Sequence, residues 1–367
     1  MPIRRIHILA LVCCLLVGCQ TRTVLVEAPR APTPTAQPLI AASPSPISPT
    51  DSPVGAPGEP SPPTLVTSPV AIASPTLGTS SGAPAVAASP PACQYGATRQ
   101  LADVQDRALR EASALAASQR WPGIYWTLND SGNSPTVFGI DEQGQSRGTF
   151  RVDKAENVDW EAMQVGPGSD GGSALYIGDI GDNDRARREI VIYRIPEPDL
   201  QAAGSRATND RTSQAEAFKL QYPDGPRDAE GLLVHPQTGE MLIVTKEIPG
   251  RAGVYRVPLP MDVRRTVKVE RVAEVDLGRV GVKIDVVTDA TVAADGRRVT
   301  VRTYGSALEY DVPDGAPLAS IWEQIPLVAR LDDGPQAEGI TYRANGQALI
   351  SIGESTPAHL FETPWQC

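Results

Sequence analysis

An all-β domain built from five like units is the fold class this sequence predicts, and three observations carry that reading. The first is an internal repeat. Asp224-Gly225-Pro226-Arg227-Asp228-Ala229-Glu230-Gly231-Leu232 and Asp333-Gly334-Pro335-Gln336-Ala337-Glu338-Gly339-Ile340 each lead into an apolar run, a Gly turn and a second run. Weaker copies begin at Ala112-Ser113-Ala114-Leu115, Asp159-Trp160-Glu161-Ala162-Met163 and Val287-Thr288-Asp289-Ala290-Thr291. Copies recur at intervals of roughly 50 to 70 residues, the range in which a period signals a propeller, a solenoid or an array. The second observation is that each copy consists of short runs rich in β-branched and aromatic residues, bounded by Gly and Pro, which is the pattern of strands. The third is that Cys93 and Cys367 stand at the two ends of the repeated region.

The elements follow in chain order. Arg4 and Arg5 precede an apolar run from Ile6 to Val17, too short to span a bilayer and built like an export signal. It ends in Leu16-Val17-Gly18-Cys19, which resembles a bacterial lipobox. That resemblance implies cleavage before Cys19, a diacylglyceryl group on its sulfur, and a protein anchored to the extracytoplasmic face of a membrane; the plainer alternative is an ordinary signal peptide with a chance cysteine. Residues 1–19 are thus set apart as targeting sequence. Residues 20–92 are dominated by Pro, Ser, Thr and Ala, as in Ser43-Pro44-Ser45-Pro46-Ile47-Ser48-Pro49-Thr50. They offer too little apolar surface to offset the entropy of ordering, so a disordered linker is expected.

Residues 93–367 are expected to form one domain. The third copy shows the series best: Leu232 to Val234, a turn at Pro236-Gln237-Thr238-Gly239, Met241 to Val244, Gly253 to Val257, and a fourth run from Val267 to Val275. Four strands per copy make a propeller blade. The last copy supplies only Ile340 to Tyr342, Ala348 to Ile352 and His359 to Phe361 before the chain stops. Its missing strand is expected from Arg99-Gln100-Leu101-Ala102-Asp103-Val104, closing the ring with the N-terminal segment. The prediction is therefore a single five-bladed β-propeller, with six blades as the fallback, because the interval between Glu161 and Glu230 is long enough for an insertion and short for another blade. Of five cysteines, Cys13, Cys14 and Cys19 lie in the targeting segment. Cys93 and Cys367 remain, and in an oxidising compartment they read as one disulfide between adjacent chain ends.

Function has to be read from side chains, because propellers host unrelated activities. The first polar residue of each copy, Ser113, Glu161, Glu230, Thr288 and Glu338, should ring the central channel. The loops after the second strands should share that rim; they carry Asp130, Asp179, Lys246, Arg302 and Glu354. Acidic groups facing one axis cannot all be ionised without a cation or raised pKa values. Oxygen ligands suit Ca2+ or Mg2+, so Glu161, Glu230, Glu338 and Asp179 are the candidate metal ligands. The bland alternative is that each Glu pins its blade by accepting backbone N–H groups of a neighbour.

Several chemistries are excluded. Beyond the targeting segment the only histidines are His235, placed at the far end of an inner strand, and His359, in an outer one, so a Ser-His-Asp triad in the funnel is not expected. There is no P-loop or dinucleotide fingerprint. The formal net charge of −10 argues against nucleic acid as partner.

Trp126-Thr127-Leu128-Asn129-Asp130-Ser131-Gly132-Asn133, Leu175-Tyr176-Ile177-Gly178-Asp179-Ile180-Gly181-Asp182-Asn183 and the two Ala-Glu-Gly motifs resemble those of secreted bacterial propeller proteins. More distantly, the Glu-Gly-Leu and Glu-Gly-Ile starts are similar to those of phytase-like, esterase-like and gluconolactonase-type propellers. The distant resemblance implies calcium held by funnel carboxylates, but the dense basic cluster of the phosphatase types is missing here. Three readings stay open at this point: a monomeric cell-surface module that binds a small ligand, a glycan or an extracellular protein; a metal-dependent hydrolase of phosphoesters, esters or lactones; and a glycosidase using two of Glu161, Glu230, Glu338 and Asp130.

Overall fold

The computed structural model describes residues 93–200, 210–247, 250–282, 286–334 and 336–367. The targeting segment with Cys19, and the linker to residue 92, lie outside the described residues. Among the described residues no helix is long and apolar enough to cross a membrane.

Five small sheets form a ring, a five-bladed β-propeller, as the repeat predicts. The inner strands are Ala112–Ala117, Trp160–Pro167, Ala229–Val234, Val287–Val292 and Ala337–Tyr342, in blades one to five. Each contacts the inner strands of the blades before and after it, and blade five meets blade one. The inner strands of blades three to five are buried from end to end. Both faces of each sheet are covered by neighbours, so the runs read as continuously apolar instead of alternating. The apolar side chains fall into five clusters, one in each seam between blades.

The ring closes as expected. Arg99–Asp103 pairs antiparallel with His359–Gln366 of blade five, with Ala102 opposite Leu360 and Asp103 opposite His359. Gln94–Tyr95 adds to the far end of the same long strand. Cys93 and Cys367 are disulfide-bonded across a sequence separation of 274. Tyr95 then reaches blade four, where its hydroxyl donates to Glu309 at 2.5 Å.

One detail differs from the sequence reading. The run Val267 to Val275 is not one strand: Val267–Lys268 extends the sheet of blade two, and Glu270–Asp276 forms the outer strand of blade three. Val269 between them is buried in the seam of blades two and three, so one apolar run serves both sheets. The long interval before Glu230 is an excursion rather than a blade. It carries Asp210–Gln214, which pairs parallel with Ser146–Asp153 on the outer edge of blade one.

The seam between blades four and five carries a buried polar network. Arg302 and Asp333, both fully buried, are paired at 2.9 Å, and Ser351 donates to Asp333 at 2.6 Å. Asp289 accepts the amide of Ile340 at 2.8 Å, and Tyr342 donates to Glu309 at 2.6 Å. These bonds span the seam next to the blade where the two chain ends meet.

A candidate cation site in the central funnel

The inner strands share one irregularity. Each loses register with its second strand at the same place: between Ala112 and Ala114, Trp160 and Ala162, Ala229 and Gly231, Val287 and Asp289, and Ala337 and Gly339. A bulge sets two residues against one on the partner strand and re-aims the extra side chain. The residues so displaced are Ser113, Glu161, Glu230, Thr288 and Glu338, the first polar residue of every copy. The glycine after the bulge in blade five is there for closeness: a Cβ on Gly339 would lie 2.7 Å from the backbone carbon of Ala114 and 2.8 Å from the amide nitrogen of Leu115.

Glu161, Glu230 and Glu338 come from blades two, three and five, and carboxylate oxygens of all three lie within 4.8 Å of one another. Only side chains around a common axis can meet in this way. A second group, Asp130, Asp159 and Glu161, meets the same limit and shares Glu161 with the first. Gly181 makes room for that approach, since a Cβ there would stand 2.5 Å from Asp159 Oδ2 and 2.7 Å from Glu161 Oε1.

Ser113 Oγ donates to Glu161 Oε2 at 2.8 Å, Lys246 Nζ to Glu230 Oε1 at 2.5 Å, and Tyr304 Oη to Glu338 Oε1 at 3.3 Å. Among the described residues none of the three glutamates accepts a backbone N–H, so they do not act as the pins of the bland reading. Asp289, one residue past the fourth bulge, is such a pin, holding its own blade at Ala290 and the next at Ile340. Two buried funnel oxygens, Glu230 Oε2 and Thr288 Oγ1, have no hydrogen-bond partner.

The electrostatics follow from crowding out of water. Burial first, then Glu230, Asp130 and Asp159, holds Glu161 well above the usual carboxylate range, against the Ser113 hydrogen bond. Burial, Glu230 and Glu354 push Glu338 up to about 8. Burial and the neighbouring Asp130 and Asp228 push Asp159 up to about 6. Glu230 is instructive: burial raises it to about 7 although Lys246 opposes the shift. Lys246 is itself raised, burial working against its charge and Glu230 outweighing burial. An ion pair alone would lower the Glu230 value, so one ammonium does not balance this funnel.

Below the ring one side chain crosses the channel. Gln164 of blade two donates to Ala290 O of blade four at 3.1 Å and accepts from Val292 N at 3.4 Å. It lies three residues past Glu161, about 10 Å deeper along the strand. Gln164 thus bridges blades two and four across the channel beneath the glutamates.

Of the residues singled out from sequence, the structure brings Ser113, Asp130, Glu161, Glu230, Lys246 and Glu338 to the funnel. Asp179 is spent elsewhere: it is fully buried, pairs with Arg187 at 2.8 Å and accepts the amide of Asp159 at 3.1 Å. Arg302 lies in the seam of blades four and five. His235 holds the turn at Gln237 and Thr238, and His359 pairs with Asp103, both away from the funnel. Asp159 and Gln164 escaped sequence reading. Asp159 lies just before the inner strand of blade two, and no pattern repeated in every copy marks it in the sequence. Gln164 was visible as the lone amide inside Met163-Gln164-Val165. No protein-family model matches the chain, and no curated protein matches it.

Proposed function

We propose that the funnel is the functional site and that it binds a divalent cation, Ca2+, whose remaining coordination positions take an oxygen-rich ligand from the face opposite Gln164. The protein is on this reading an exported, lipid-anchored binding module; the Cys93–Cys367 disulfide is compatible with that compartment. One observation carries the proposal: Glu230 Oε2 and Thr288 Oγ1 are buried without a partner in a ring where carboxylates crowd within 4.8 Å. Each unsatisfied buried oxygen costs about 1–3 kcal/mol, and a cation touching both removes that cost together with the repulsion. Oxygens around a common Ca2+ sit about 2.3–2.6 Å from it, and an irregular ring of carboxylate and hydroxyl donors suits its flexible shell better than the octahedron Mg2+ demands.

A second reading, metal-dependent hydrolysis of phosphoesters, is favoured by Asp159. Its carboxylate has no hydrogen-bond partner among the described residues, lies within 4.8 Å of Asp130 and Glu161, and is pushed up to about 6. A carboxylate free of hydrogen bonds beside a cation-bound water is suited to take its proton.

The test is a Ca2+ titration of metal-stripped protein followed by thermal melting and calorimetry. At a hundred times its Kd the ion should add about 2.7 kcal/mol of stability. Glu230→Gln keeps the shape of the side chain and removes its charge, and should weaken binding at least tenfold. A flat titration of the parent protein sinks the cation reading, and with it the hydrolase.

A further inference from the structure

The excursion between blades two and three breaks the repeat, and its strand Asp210–Gln214 does an unusual thing. It sets Arg211 directly opposite Arg151 on the parallel neighbour Ser146–Asp153. Like charges placed opposite each other across two strands are unfavourable. Arg211 has one acidic partner, Asp153 at 3.3 Å, whereas Arg151 has no ion-pair partner among the described residues. Arg110, also without one, lines the same cavity of about 520 Å³, together with Asn133, Thr136 and the buried ring of Phe138. Two carboxylates stand at the cavity wall, each holding a lining side chain: Asp106 accepts from Thr149 as well as from Ser146, and Glu111 accepts from Asn133.

We propose that this cavity is a binding site for an organic phosphate, separate from the funnel and independent of metal. Guanidinium groups fork onto phosphate oxygens in pairs, which relieves the repulsion between Arg151 and Arg211. The hydroxyl of Thr136 adds a neutral donor, and exposed Ala108 with the aliphatic stems of the arginines offers apolar surface to the ester's organic part. The volume is that of a small-molecule site. Its position ties it to the funnel face: Asn129 ends the second strand of blade one and lines the cavity, and the next residue, Asp130, belongs to the carboxylate group around Glu161.

The experiment is calorimetry with phenyl phosphate in EDTA, so that the funnel contributes no cation. Saturable binding is expected, tighter than that of inorganic phosphate. Arg110→Gln and Arg151→Gln should each weaken it at least fivefold and together abolish it. Both arginines are exposed, so the variants should melt within a few degrees of the parent. Glu230→Gln should bind as the parent does, which keeps this outcome distinct from failure of the funnel reading. Absence of saturable binding overturns the proposal. So does equal weakening in a charge-matched control, Arg265→Gln with Arg297→Gln, or loss of binding in Glu230→Gln.

Discussion

Raising the pH should destabilise the metal-free protein between about pH 5 and 8.5, and Ca2+ should cancel most of that loss. A carboxyl whose folded pKa lies above its unfolded value gives stability that is complete below the unfolded value and is lost as pH rises through the folded one. Glu338 goes from 4.5 to about 8 and Glu230 from 4.5 to about 7. At about 1.4 kcal/mol per pH unit, Glu338 alone accounts for roughly 5 kcal/mol when fully ionised. The two are neighbours, so their contributions do not simply sum, and the pair lies between the Glu338 figure and the sum, about 5–8 kcal/mol. For a domain of this size that lowers the melting temperature by about 10–30 °C. The assay is differential scanning calorimetry in EDTA at half-unit pH steps, repeated in saturating Ca2+. Calcium competes with protons at pH 5 and finds ionised ligands at pH 8, so its stabilisation should grow with pH. Asp262, lowered to about 2 by its Arg264 hydrogen bond, loses stability only at acid pH and stays outside the window. A melting temperature in EDTA that is flat or rises between pH 5 and 8.5 would refute the account of a crowded, uncompensated funnel.

Two further outcomes are expected. Replacing Cys93 and Cys367 by Ser opens a loop closed over a sequence separation of 274, and on the chain-entropy relation should cost about 5 kcal/mol, read as a lower midpoint in urea. Arg302→Met leaves Asp333 as a buried charge without its partner and should cost about 3–5 kcal/mol, whereas Arg302→Met combined with Asp333→Leu should recover much of that loss; equal instability of single and double variants would contradict the pairing.

The fold was legible because every blade repeats the same constraint. Ala-Glu-Gly recurs where neighbouring inner strands come within 3 Å of a would-be Cβ, and the strand deficit of the last copy pointed to Arg99–Asp103 as its complement. The site was legible for the residues that carry the repeat, Ser113 through Glu338, and less so for those at the ends of second strands. Asp179 and Arg302 lie at corresponding ends of strands, yet each turns into its own surroundings, toward Arg187 and toward Asp333. Sequence spacing fixes which end of a strand a residue occupies. Which partner its charge finds depends on loops such as 180–189, and those do not repeat.

The distinction between a blade's structural residue and a ligand can be drawn from hydrogen bonds. Blade four shows both at adjacent positions. Asp289 has each carboxylate oxygen on a backbone amide, at 2.7 and 2.8 Å, and so completes its bonding within the fold. Thr288 beside it is equally buried and has no partner for its hydroxyl. If the bulge served only the blade, its displaced side chain would be the one bonded to the backbone; instead that work falls to the neighbour, and the bulged oxygens of Thr288 and Glu230 are left facing the axis. A bulge repeated in every blade, with the bonding done by a residue beside it, is the arrangement expected of a ring that presents oxygens to something bound at its centre.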